Sequence, residues 1–89
     1  MQAVALFKGK DTYNLDIEIA IGDDGKPYMR RVKSNSYTAS MSFTRWKLIT
    51  NQLIVMVGDT IEFLDFDYMR TYKLIGGYGV NKVKLPQGK

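Results

Sequence analysis

The side chains best suited to chemistry are bases interleaved with aromatic rings. They are Tyr28 and Arg30; Arg45, Trp46 and Lys47; Arg70, Tyr72 and Lys73; and Tyr78 with Lys82 and Lys84. Lysine and arginine neutralise phosphates, while tyrosine and tryptophan offer faces on which unpaired bases stack. The pattern therefore points to a nucleic acid, and to a single strand in particular. Tyr78 lies in a Gly76-Gly77-Tyr78-Gly79 loop just ahead of two lysines, the densest local case. That loop lacks the glycine and lysine spacing of a phosphate loop and opens no helix. A lone tryptophan is commonly a core residue; the bases on either side of Trp46 give the stacking alternative.

Other chemistries are poorly supplied. The 89 residues contain no histidine and no cysteine. The commonest general base, the commonest metal ligand and the thiol nucleophile are all missing. Asp59, Glu62, Asp65 and Asp67 do not have the spacing of a calcium loop, and alternation divides them between two faces. Neither catalysis nor a cofactor nor a metal is expected. No run approaches the roughly 20 apolar residues that span a bilayer, and the apolar N-terminal residues lack the basic leader of a signal peptide. A soluble cytoplasmic protein is the expectation.

The net charge of +4 is unevenly spread. Residues 1–24 carry Lys8 and Lys10 against five acids, and residues 25–58 carry six bases and no acid. Residues 59–69 carry four acids and no base, and residues 70–89 five bases and no acid. Two readings compete. Neighbouring strands of opposite sign can pair and cancel. Alternatively, the two basic blocks meet in space and make a positive face.

The elements that must position these groups are strands. The longest apolar run, Leu53–Val57, ends at Gly58-Asp59, and a second β-rich run begins at Thr60. Residues 2–8 read as a first strand. Residues 13–21 alternate cleanly, with Tyr13, Leu15, Ile17, Ile19 and Ile21 on one face. Asp24-Gly25 predicts a type I′ hairpin turn. That register sets Ile21 against Tyr28, Ile17 against Val32, Glu18 against Arg31 and Asp16 against Lys33. Arg31 and Lys33 then have structural partners, which leaves Arg30 as the functional base of the segment. Residues 34–36 read as a loop. Residues 37–44 predict a strand with a stripe of four hydroxyls, either a solvated face or a donor surface for phosphate oxygens. A short helical turn is expected over 44–50 and a strand from Gln52. A bulge near Leu64-Asp65 would reconcile a change of phase within the strand that starts at Thr60. A turn over 65–68, strands over 69–75 and 80–85, and a frayed tail at 86–89 complete the chain.

Six or seven short strands with regular turn signals predict one mainly β domain over 1–89. In so short a chain it is a small antiparallel barrel, OB-like or SH3-like, with at most one short helix near 44–50. The length, the Gly25-Lys26-Pro27-Tyr28 tetrapeptide and a C-terminal strand of alternating lysines resemble the small single-stranded-DNA-binding proteins of filamentous phages. The strand before the tetrapeptide departs from that pattern. The resemblance implies a nucleic-acid-binding class. The rival expectation is a protein-binding or inhibitory module, of a kind viruses and mobile elements encode, contacting a partner through the acidic segment 59–67. A sheet this small with open edges also makes a homodimer an option.

Overall fold

The computed structural model describes residues 1–10, 14–31, 44–50, 53–65, 70–81 and 83–86. Their regular structure is seven strands: β1 (Ala3–Lys10), β2 (Asp16–Gly22), β3 (Pro27–Arg31), β4 (Lys47–Leu48), β5 (Leu53–Val57), β6 (Thr60–Asp65) and β7 (Arg70–Ile75). All pair antiparallel in one sheet of order β4-β3-β2-β1-β7-β6-β5. Among the described residues there is no helix, and so none long and apolar enough to cross a membrane.

The connectivity forces the sheet to bend. Strands lie about 4.8 Å apart, so six steps across a flat sheet would part β4 from β5 by roughly 29 Å. The chain runs directly from Leu48 at the end of β4 to Leu53 at the start of β5. Those five residue steps reach at most about 18 Å when fully extended. The two edges must therefore curl toward each other, and the result is a half-barrel.

Period-two alternation divides the side chains between two faces. The inner face collects Phe7, Ile17, Ile19, Ile61, Phe63, Tyr72 and Leu74, with Ala5, Ile21, Met29, Ile49 and Ile54 packed around them. Phe63 and Tyr72 are opposite in the β6–β7 register and stack with ring centroids 5.9 Å apart. Part of the outer face is also buried. Ala3, Leu6, Ala20 and Tyr28 lie under Leu85, with Val80, Val83, Met1 and Trp46 around them. The C-terminal segment is tied down there by backbone bonds. Leu85 N–H donates to Met1 O (2.9 Å), and Gln2 forms an isolated bridge with Lys84. Of the strand expected over 80–85, that isolated bridge is what forms among the described residues.

The β2–β3 turn differs from the expected one by a single residue. Gly25 has φ +78°, whereas Asp24 does not have positive φ, so the type I′ form is excluded. Gly25 N–H donates to Gly22 O (2.9 Å), and Gly22 N–H donates to Lys26 O (2.9 Å). This is a three-residue loop closed by a glycine in the left-handed region. It sets Ile21 opposite Pro27, Ala20 opposite Tyr28, Glu18 opposite Arg30 and Ile17 opposite Arg31. The carboxylate of Asp24 makes the difference. It accepts from Lys26 N–H (3.0 Å) and from the Tyr28 hydroxyl (2.8 Å), which holds the wider loop.

Two further expectations are corrected. Residues 44–50 are extended rather than helical. Thr44 N–H donates to Arg31 O (2.8 Å), Arg31 N–H donates to Thr44 Oγ1 (3.0 Å), and Ile49 N–H donates to Pro27 O (3.0 Å). Pairing with β3 overrides the helical spacing of the apolar residues. In β6 the register with β7 runs unbroken from Thr60 to Asp65, so there is no bulge at Leu64-Asp65. Leu64 simply takes the outer face, half-buried. The 34–36 loop, the hydroxyl stripe before Thr44, the turn over 66–68 and the tail over 87–89 lie outside the described residues.

Candidate nucleic-acid interface

On the outer face, beyond the buried cluster under Leu85, one cross-strand row is charged. Lys8 of β1 is directly opposite Glu18 of β2, and Glu18 is directly opposite Arg30 of β3. Arg30 Nε and Nη2 each lie 2.6 Å from Glu18 Oε1, and Lys8 Nζ lies 3.7 Å from Oε2. Glu18 is 5% exposed, a carboxylate buried between two cations. β2 is central in its half of the sheet and flanked on both sides, so its whole stretch 17–20 is buried.

Each end of the row finishes in an aromatic ring. The Arg30 guanidinium lies 4.5 Å from the centroid of the Trp46 ring, and Lys8 Nζ lies 4.5 Å from that of Tyr78. The order across the sheet is thus Tyr78, Lys8, Glu18, Arg30, Trp46. Each cation is held between a carboxylate and a π face. Lys10 and Asp16 form the next pair along β1 and β2, 2.5 Å apart. An open groove of about 490 Å³ runs between Tyr78 and Arg30, floored by Lys8, Gly9, Lys10, Asp16, Ile17 and Glu18. Three bases line it against two acids.

The residues singled out in the sequence fare unequally. Arg30 and Trp46 come together at one end of the groove, with Arg45 and Lys47 exposed on either side of Trp46, and Tyr78 forms the other end. Tyr28 and Tyr72 do not reach the surface. Tyr28 is 2% exposed beneath the C-terminal segment, its hydroxyl donated to Asp24, and Tyr72 is core. Both lie on strand positions whose face is covered, so neither can stack a base. Arg70 and Lys73 are exposed on β7, where the register sets them opposite Asp65 and Glu62. Two acids of the acidic block are therefore opposite two bases of the block that follows it, across one hairpin. Lys84 is exposed opposite Gln2, and Lys82 lies outside the described residues.

No protein-family model matches the chain, and neither a curated protein nor a solved structure is significantly similar to it.

The expected split between Arg30 and Arg31 is reversed on the point that motivated it. Arg30, not Arg31, faces Glu18. Lys8, Lys10, Asp16 and Glu18 were the members of the groove that the sequence reading passed over. A signal for them exists. Period two places Lys8 and Lys10 on one face of β1 and Asp16 and Glu18 on one face of β2, and a β1–β2 hairpin brings the four together. No group of three or more acids able to hold a metal ion occurs among the described residues.

Proposed function

We propose that the protein is a non-enzymatic nucleic-acid-binding module that lays a single strand across the groove between Tyr78 and the Arg30–Trp46 stack. The observation that carries this reading is the cross-strand row itself, in which each cation is capped by an exposed or half-exposed ring beside an open groove. Bases stack on aromatic rings and on guanidinium planes alike. The Arg30–Trp46 stack and the Tyr78 ring are two such platforms. Lys8 and Lys10 lie between them for the phosphates, and Arg45 and Lys47 extend the positive track past Trp46. The Glu18 carboxylate fixes the Arg30 guanidinium in place and so removes part of the ordering cost of binding.

Titration of the single tryptophan's fluorescence with short oligonucleotides at two salt concentrations tests the proposal. Two or three phosphate contacts give a slope of log K against log salt of about −1.4 to −2.1 for a single strand. Loss of one stacked base through Tyr78→Ala weakens binding by about 1–3 kcal/mol. Lys26→Ala, exposed in the β2–β3 turn away from the groove, leaves it unchanged. Binding that ignores salt, or that Lys26→Ala weakens as much as Tyr78→Ala does, refutes the assignment. The rival inhibitory reading placed its contact on segment 59–67. It draws less support, because Glu62 and Asp65 already face Lys73 and Arg70.

A further inference from the structure

The two edges of the sheet are unlike. β4 has only two residues, one of them Lys47, with Arg45 just before it. Short length and positive charge are the usual protection of an edge against a foreign strand. β5, at the other edge, has neither. Leu53–Val57 is wholly apolar, lacks proline and glycine, and pairs with β6 in an unbroken register. Val55, Met56 and Val57 are 45%, 54% and 68% exposed. Alternation directs Val55 and Val57 to one side of the sheet and Met56 to the other, so apolar surface is open on both sides of this strand.

The hairpin geometry shows which backbone groups are available. Gly58 has φ +58° and Asp59 does not have positive φ, the pattern of a two-residue type II′ turn. Such a turn makes Val57 and Thr60 a hydrogen-bonded pair, and the alternation of antiparallel ladders does the same for Val55 with Glu62 and Leu53 with Leu64. The N–H and C=O groups of Ile54 and Met56 therefore point away from β6, to an edge that no strand among the described residues covers.

We infer that β5 is a homodimer interface, pairing antiparallel with β5 of a second copy about a two-fold axis through Val55. Several properties single out a second copy as the occupant. Pairing centred on Val55 sets Ile54 against Met56 of the other chain and Met56 against Ile54, so the outward groups of both strands bond to each other. Val55 meets Val55 as the closer, non-hydrogen-bonded pair. Every facing position is apolar, and no charge is buried. A two-fold axis requires such self-complementarity of a patch, and this strand has it. The buried area is small, since one edge strand falls well short of the roughly 800 Å² per partner of a standard interface. The dimer is accordingly weak and concentration-dependent. None of this rests on nucleic-acid binding.

Sedimentation velocity over a range of protein concentrations, without nucleic acid, is the test. The wild type shifts from monomer toward dimer as concentration rises. Val55→Lys, which sets two ammonium groups face to face, weakens association by about tenfold or more. Met56→Pro removes only an outward N–H, the one kind of strand site that tolerates proline, and abolishes it. Ile75→Lys, exposed on β7 in the sheet interior, leaves it intact. Should either β5 variant fail to fold, amide exchange of the wild type decides instead, with Ile54 and Met56 gaining protection as concentration rises. A protein that stays monomeric throughout overturns the inference. So does a dimer that survives both β5 variants, or one that forms without added protection at Ile54 and Met56.

Discussion

Truncation of Glu18 to alanine separates burial from proximity as the source of an ion pair's strength. Glu18 Oε1 accepts both Arg30 Nε and Nη2 at 2.6 Å, and the Glu18 side chain is 7% exposed. Removing one partner of a buried pair costs about 3–5 kcal/mol, because the other is left uncompensated. Here the stranded partners keep some water, Arg30 being 28% and Lys8 43% exposed. The lower limit, about 3 kcal/mol, is therefore the expected loss. In a domain of this size each kcal/mol lowers Tm by roughly 4–8 °C, so thermal unfolding followed by circular dichroism should shift by about 12–24 °C. Asp16→Ala is the companion measurement. Its pair with Lys10 is just as close, at 2.5 Å, but the two side chains are 31% and 56% exposed. Water screens such a pair, and its loss should cost no more than about 1 kcal/mol. A double-mutant cycle of Glu18 and Arg30 should show coupling of about 1.5–3 kcal/mol. Equal losses from Glu18→Ala and Asp16→Ala, or additive effects in the cycle, would refute the reasoning.

Two further outcomes follow from local geometry. A Cβ on Gly9 would lie 2.7 Å from the Lys73 carbonyl oxygen, which is backbone and cannot swing aside; Gly9→Ala should cost about 1–3 kcal/mol by forcing β1 from β7, read as a lower urea midpoint. The Lys26 N–H on Asp24, helped by the Tyr28 hydroxyl, holds the Asp24 carboxyl below its ordinary value of 3.8. A depressed folded-state pKa gives stability that is present above the unfolded value and lost as pH falls through the folded one. Asp24→Asn should therefore flatten the acid limb of the stability–pH curve below about pH 4 without steepening it near neutrality; an unchanged acid limb would sink the assignment.

Much of this architecture was legible in the chain because period-two alternation reports which strands have a buried face. Ile17, Ile19, Phe63 and Leu74 all lie where alternation puts them. The β2–β3 register was missed by one residue because Asp-Gly fits two turn families. The deciding interaction, Asp24 with Lys26 N–H and Tyr28, is not visible before the loop closes. The error carried over to function, since it exchanged the partners of Arg30 and Arg31. Tyr28 and Tyr72 look like platforms in the sequence because residue type alone does not tell which side of a strand is covered. The cover over Tyr28 comes from Leu85, at the far end of the chain. The burial of Glu18 is hidden for the same reason: alternation marks its face as polar, and only its place between β1 and β3 buries it.

Among the seven described strands, one pair joins segments distant along the chain, a seam where β1 meets β7 at Lys8 and Ile75. Every other strand pair joins neighbours in sequence. The β1–β3 and β5–β7 groups each pair strands that are neighbours in sequence, but neither owns a complete core. Phe7, Ile17 and Ile19 come from one, and Ile61, Phe63, Tyr72 and Leu74 from the other. Closure of that seam is a step of large loop entropy, and the step that first shelters those seven side chains from water. The rate at which the molecule assembles is accordingly set at the seam, and a fragment cut between β4 and β5 has no reason to stay folded by itself.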